Sequence, residues 1–142
     1  MAAHMVCAID YFGQTMPVTS TFLAGSIGTS PVMVRTIMGM LKQAGIISSS
    51  RGKSGIALAR PLAEISLLDL WRAVDQSDAD SLFHFHENPC PQCPVGGNIH
   101  AALDGHLEDA QRALEDQLAA VSLESVGAEV CRRAEAQAVS EE

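Results

Sequence analysis

Residues 26–58 read SIGTSPVMVRTIMGMLKQAGIISSSRGKSGIAL, and this stretch decides the fold. Ile27-Gly28-Thr29 is a short turn. Ser30 then stands where a helix N-cap belongs, and Pro31 takes the first helical position, where its missing N–H costs nothing. Val34, Ile37, Met38 and Leu41 recur at spacings of three and four, which predicts one buried stripe. Gly45, directly after Ala44, is placed to end the helix in the left-handed conformation. The opposite face carries Val32, Met33, Arg35, Thr36 and Lys42. Two short β-runs follow, Ile46-Ile47-Ser48-Ser49 and Ile56-Ala57-Leu58-Ala59, around the Gly-punctuated turn Arg51-Gly52-Lys53-Ser54-Gly55. A helix leading into a hairpin with two cations at its tip reads as a winged helix-turn-helix, mainly α with a small β-wing.

Outward from that stretch, Thr21–Gly25 begins the first helix of the helix-turn-helix, after a loop at Pro17-Val18-Thr19-Ser20. Met5, Val6, Ala8, Ile9 and Phe12 make Met1–Gln14 an amphipathic first helix. On the other side, a helix is expected from about Ser66 to Val74, with Leu67, Leu70, Trp71 and Val74 on one face and Trp71 as a core aromatic. Ile99, Leu103, Leu107, Ala110, Leu114, Leu118 and Val121 fall at intervals of 4, 4, 3, 4, 4 and 3, giving a long helix over Asn98–Val121. Its narrow apolar seam is of the kind that pairs two helices. A helix of that length outreaches a small head, so a homodimer is expected. Ser122–Glu142 is a weaker helical pattern. The expected domains are 1–75, a DNA-binding head; 76–97, a Cys/His/Pro-rich loop; and 98–142, a dimerisation helix and C-terminal helix.

The formal net charge of −8 argues at first against a nucleic-acid partner, but its distribution reverses that. Residues 1–63 hold Arg35, Lys42, Arg51, Lys53 and Arg60 against Asp10 alone, a net of +4. Residues 64–142 hold 4 basic and 16 acidic residues, a net of −12. A basic reading head on an acidic body is an electrostatic footprint of DNA binding. No apolar run approaches the roughly 20 residues of a membrane span. Met1–Gln14 lacks a basic start and holds Asp10, so no secretory signal is expected and the expected location is cytoplasmic.

Leu23, Ala24, Ser30, Pro31, Val34, Arg35, Leu41, Ala44, Gly45, Arg51, Gly52, Gly55, Leu58 and Ala59 form in order a pattern that resembles the Rrf-type winged-helix transcriptional regulators, the group containing IscR and NsrR. The run Ile65-Ser66-Leu67-Leu68-Asp69-Leu70-Trp71-Arg72-Ala73-Val74 is similar to a second segment of that family. The resemblance implies a regulator, in all expectation a repressor, that binds a pseudo-palindromic site in double-stranded DNA. The expected contacts are Thr29, Ser30, Pro31, Val32, Arg35 and Thr36 at the start of the recognition helix, and Arg51, Gly52 and Lys53 on the wing.

The segment HFHENPCPQCPVGG, residues 84–97, carries His84, His86, Cys90 and Cys93. Four cysteines in a chain of this kind do not imply a disulfide framework. Cys90-Pro-Gln-Cys93 has the gap that lets two thiolates reach one ion, but a closed zinc or iron–sulfur site needs four ligands, and no second Cys pair exists. His84 and His86 are candidates to complete one. His86, Asn88, Pro89, Pro91, Cys93, Pro94, Val95, Gly96, Asn98 and Ile99 resemble a YwnA-like branch of the family, in which the matching Cys serves as a redox-sensing thiol or as a cluster ligand. Cys93 also precedes the long helix, whose free N–H groups and dipole favour a thiolate, and His86 adds positive charge. Thiol sensing, an iron–sulfur cluster or metal ion, and an unreactive loop all stay open. Cys7 and Cys131 read as ordinary helix residues.

An enzyme is not expected, because no Ser/His/Asp order, phosphate-binding Gly loop or HExxH segment is present. The competing class is a small metal- or iron–sulfur-binding protein that uses His84, His86, Cys90 and Cys93 without DNA. The regulator, modulated by redox state or a metal at the cysteine loop, accounts for more of the chain.

Overall fold

The structure, a computed structural model, describes residues 1–49, 55–75, 82–83 and 87–140. Six α-helices, a short 3-10 turn at Leu62–Glu64 and one two-stranded antiparallel sheet are present among these residues: α1 (Ala2–Gly13), α2 (Ser20–Ile27), α3 (Pro31–Gln43), β1 (Ile47–Ser49), β2 (Ile56–Leu58), α4 (Leu67–Val74), α5 (Ile99–Ala119) and α6 (Leu123–Ser140). The chain divides into two compact units. One comprises Met1–Asp75 with Ala119–Glu142, the other Gln76–Leu118. In this division α6 belongs to the first unit and nearly all of α5 to the second.

Local chemistry sets each boundary of the helix-turn-helix. The Thr19 hydroxyl accepts the Phe22 N–H at 3.2 Å and starts α2. Gly28, at φ 76°, ends it, and both Gly28 and Thr29 donate their N–H to the Ala24 carbonyl at 3.0 Å. Ser30 then caps α3 by accepting from the Met33 N–H at 3.2 Å, with Pro31 in the first turn. At the far end Ile46 N–H reaches Leu41 O at 2.9 Å and Gly45 N–H reaches Lys42 O at 3.0 Å, while Gly45 sits at φ 67°. That pair of bonds is a Schellman closure, and its usual apolar contact is supplied by Leu41 and Ile46, both fully buried.

The wing grows directly from that closure. Ile47 pairs with Leu58, Ser48 with Ala57 and Ser49 with Ile56. Lys42 Nζ donates to Ser49 Oγ and ties the end of α3 to the first strand. Val18 O accepts from Ile56 N–H at 3.1 Å, which fastens the second strand to the loop before α2.

The core lies beneath α3. Met5, Val6 and Ile9 of α1, Leu23 of α2, Val34 and Leu41 of α3, and Ile46 and Ile47 at the wing root are essentially inaccessible to water. Burying side chains of this size contributes about 1.5–3 kcal/mol each. Leu70 of α4 is buried too, whereas Trp71 is half-exposed and lies outside the set packed against the core. The expected core aromatic is therefore a boundary residue. In a helix of two turns, Leu67, Leu70 and Val74 occupy the inward stripe, and Trp71 falls about 100° to one side of Leu70.

Ser66 and Asp69 start α4 with a capping box. Ser66 N–H and its hydroxyl both donate to Asp69 Oδ2, at 2.8 and 2.9 Å, and Ser66 Oγ accepts from Asp69 N–H. Burial pushes the Asp69 carboxyl upward, but these bonds and the adjacent Arg60 guanidinium outweigh it and hold Asp69 below its ordinary value. Immediately before α4, Leu123 N–H donates to Ile65 O at 2.7 Å and Leu67 N–H donates to Val121 O at 3.0 Å. This isolated bridge sets the fully buried Leu123 into the core and starts α6 alongside α1.

Candidate nucleic-acid interface and cysteine loop

The inward face of α3 is filled by Val34, Ile37 and Leu41, and the outward face is left to solvent. Ser30, Val32, Met33, Arg35 and Thr36 are all exposed there, while Thr29 and Pro31 are half-buried at the entry turn. The Thr36 hydroxyl hydrogen is already used, donated to Val32 O at 3.1 Å. Arg35 has no ion-pair partner among the described residues. The neighbouring cations differ: Lys42 holds Ser49, and Arg60 donates to Glu64 O at 2.9 Å and lies 3.6 Å from Asp69. Among the described residues, Arg35 is consequently the cation of α3 that has no ion-pair partner or side-chain hydrogen bond. The wing residues Arg51, Gly52 and Lys53 lie outside the described residues.

The second unit carries the cysteine loop. Cys90 and Cys93 are both exposed, free thiols on one turn, in which Cys93 N–H donates to Cys90 O at 3.2 Å. Hydrogen bonds from the Gly96 and Val95 N–H groups lower the pKa of Cys93, against a weak opposing effect of burial. The lowered pKa therefore has a local cause in the turn just downstream, which leads into α5. Both glycines are required by close approach: a Cβ on Gly96 would stand 2.6 Å from Cys90 O, and one on Gly97 would stand 2.8 Å from Pro91 O. The CPVGG spacing held the signal for these donors, but their direction depends on backbone angles. Among the described residues of this loop, Asn88, at φ 61°, is the non-glycine residue with a left-handed backbone. The turn continues into α5 through Gly97 N–H to Cys93 O at 2.9 Å and Ile99 N–H to Val95 O at 2.9 Å.

Among the described residues, no three His, Cys, Asp or Glu side chains converge on a point where a metal ion would sit. His84 and His86 lie outside those residues. Cys90 and Cys93 supply two soft ligands of the four that a zinc or iron–sulfur site needs, so the described residues alone do not fit such a group.

A family model described as Rrf2, iron-dependent transcriptional regulator, matches residues 1–129. The chain belongs to the Rrf2 family. It is 42% identical over 126 residues to a Bacillus subtilis protein assigned as the HTH-type transcriptional regulator YwnA, covering 89% of this chain and 91% of that one. A crystal structure of a protein assigned as DNA-binding superposes with a TM-score of 0.67 at 34% identity, covering 89% of this chain and 98% of its own. IscR from T. potens shares the fold at a TM-score of 0.64 and 21% identity, covering 91% of this chain and 80% of its own. CymR, the global cysteine regulator of B. subtilis, does so at 0.65 and 17%, covering 89% and 90%. Rrf2 proteins and the relatives found here are transcriptional regulators, not enzymes, which agrees with the expectation from the sequence. The winged helix-turn-helix of residues 19–58 is the fold these regulators share.

The seam residues of α5 are placed on one helix, and no α5 residue is buried within the chain. Leu103 and Leu114 are 38% and 41% exposed, Ala110 is exposed, and Ile99, Leu107 and Leu118 are half-buried. Val121 follows the end of α5 and joins the bridge to α4. No described helix is long and apolar enough to cross a membrane.

Proposed function

We propose that this Rrf2 protein is a homodimeric, sequence-specific repressor that binds a pseudo-palindromic operator in double-stranded DNA, with affinity set by the state of Cys93. The observation that carries the reading is the outer face of α3. A serine-capped helix set rigidly on a buried stripe presents Arg35, exposed and without an ion-pair partner among the described residues. Recognition helices of this class use such N-terminal residues to reach base edges. The wing cations Arg51 and Lys53 are assigned to phosphates or the minor groove, and the uncovered α5 seam to the two-fold mate. A protein that works on DNA in this way acts in the cytoplasm.

The switch rests on Cys93. In the sequence it lies between α4, the last helix before the loop, and α5, the helix assigned to the dimer. Chemistry at its thiolate changes the loop through which the two heads are held, and a contact made in only one arrangement shifts the balance between them. A coupling of about 1–3 kcal/mol changes affinity by roughly 5–150-fold. A second reading, an iron–sulfur cluster or metal ion, is favoured by the exposed Cys90–Cys93 pair and by the family's iron-dependent description. Operator affinity of reduced, oxidised and iron-reconstituted protein, measured beside Cys93→Ser, separates these. Equal binding by all four removes the sensor. No specific binding by any of them removes the regulator.

A further inference from the structure

The first turn of α3 leaves two adjacent apolar side chains bare. Val32 is 65% exposed and Met33 45%, while Val34, the next residue, is fully buried. Isolated apolar residues on a surface are ordinary. These two are not isolated. Thr36 lies one turn on from both, and Arg35 lies one turn on from Val32, so the four side chains form one contiguous patch. Within it Thr36 offers no donor, because its hydroxyl is bonded to Val32 O. The Met33 backbone is equally committed, to Ser30 Oγ. What remains toward a partner is an apolar surface edged by one guanidinium.

That composition has a specific complement in the major groove. The thymine C5-methyl is the apolar group that base pairs display there, and guanine O6 and N7 are the acceptors that suit an arginine fork. We infer that Val32 and Met33 read thymine methyl groups, so that each half-site places thymine beside the guanine contacted by Arg35. The inference rests on the proposal that α3 enters the major groove. It adds two specificity-determining residues that act by burying a methyl and form no hydrogen bond to a base. Bases lacking the methyl, cytosine or uracil, leave the patch against water.

Replacing thymine by deoxyuridine removes the methyl and leaves base pairing and every hydrogen-bonding group of the groove in place. The full-length protein is used to select bound duplexes from a random-sequence pool, and each thymine of the selected duplex is then changed singly to deoxyuridine. At one or two positions per half-site, affinity should fall about fourfold for each methyl lost from a buried contact. The combined V32A and M33A variant should bind the thymine and uracil duplexes equally, yet keep its guanine preference. Both side chains are exposed, so these changes leave the core intact. Specific binding with no uracil effect at any position overturns the inference and leaves the regulator reading standing. A variant that keeps the full thymine-over-uracil ratio overturns it as well. If selection enriches no sequence, the DNA-binding reading falls, and this inference falls with it.

Discussion

If α3 reads bases as proposed, Arg35 carries the charge for it, because the fold has engaged the neighbouring cations. Lys42 braces the wing through Ser49, and Arg60 is held by Glu64 O and Asp69. Truncating Arg35→Ala should remove about 1–3 kcal/mol of discrimination at one base position per half-site. Binding curves on operators carrying each of the four bases at that position measure the effect, and an unchanged preference would make Arg35 a structural residue. The cysteines diverge at the same scale. Burial, Asp10 and Cys131 push the Cys7 thiol up, in that order of size, whereas the Gly96 and Val95 N–H groups pull Cys93 down. A lowered pKa means that the thiolate persists to lower pH. Site-resolved alkylation across a pH series should therefore reach half-rate at a lower pH for Cys93 than for Cys7. Coincident profiles, or the reverse order, would contradict the assignment of Cys93 as the reactive thiol.

The turn from Cys90 to Gly97 shows what an element adds to a residue. The Cys93 pKa is lowered by two N–H groups, of Gly96 and Val95, in a turn where Gly96 lies against the Cys90 carbonyl. In Gly96→Ala the added carbon meets backbone oxygen at 2.6 Å, so the turn must open and its N–H groups must leave the sulfur. The alkylation profile of Cys93 should then move to higher pH, while Cys7, in the other unit, keeps its own. A Cys93 profile identical to wild type would show that the turn is not the cause. The elements of the head were legible in the sequence because their determinants are local. Ser30-Pro31, the apolar spacing from Val34 to Leu41, and Gly45 each act within one or two turns of chain, and each does in the structure what its chemistry dictates. The inward stripe of α4 was harder to read, since Trp71 and Leu70 are adjacent and only the packing of neighbouring elements decides which faces the core.

At the scale of the whole molecule, the two units differ in how far they bury their apolar surface within one chain. The head closes around its core, partly by recruiting α6. That return was not legible, because it depends on backbone bonds of Leu123 to Ile65 and of Leu67 to Val121, groups far apart in sequence. The α5 seam was legible as spacing, yet the chain covers it only in part: no α5 residue is fully buried, Leu103, Ala110 and Leu114 are exposed, and at 21 residues the helix runs about 32 Å. A second copy related by a two-fold axis would cover the same seam on both helices, and a two-fold dimer matches a pseudo-palindromic site. A charge on that seam would be desolvated without a partner in the dimer, but solvated in the free chain. Leu114 is the informative position, since at 41% exposure its replacement does not disturb the core of the head. Leu114→Glu should convert a dimer of the 15.0 kDa chain into monomer at micromolar concentration, read by sedimentation velocity. The same variant should lose most of its affinity for a full palindrome, because each half-site then binds as a separate event, and should keep its weak affinity for an isolated half-site. Wild-type protein that sediments as a monomer at that concentration would remove the dimer, and with it the explanation of why α5 exposes an apolar seam.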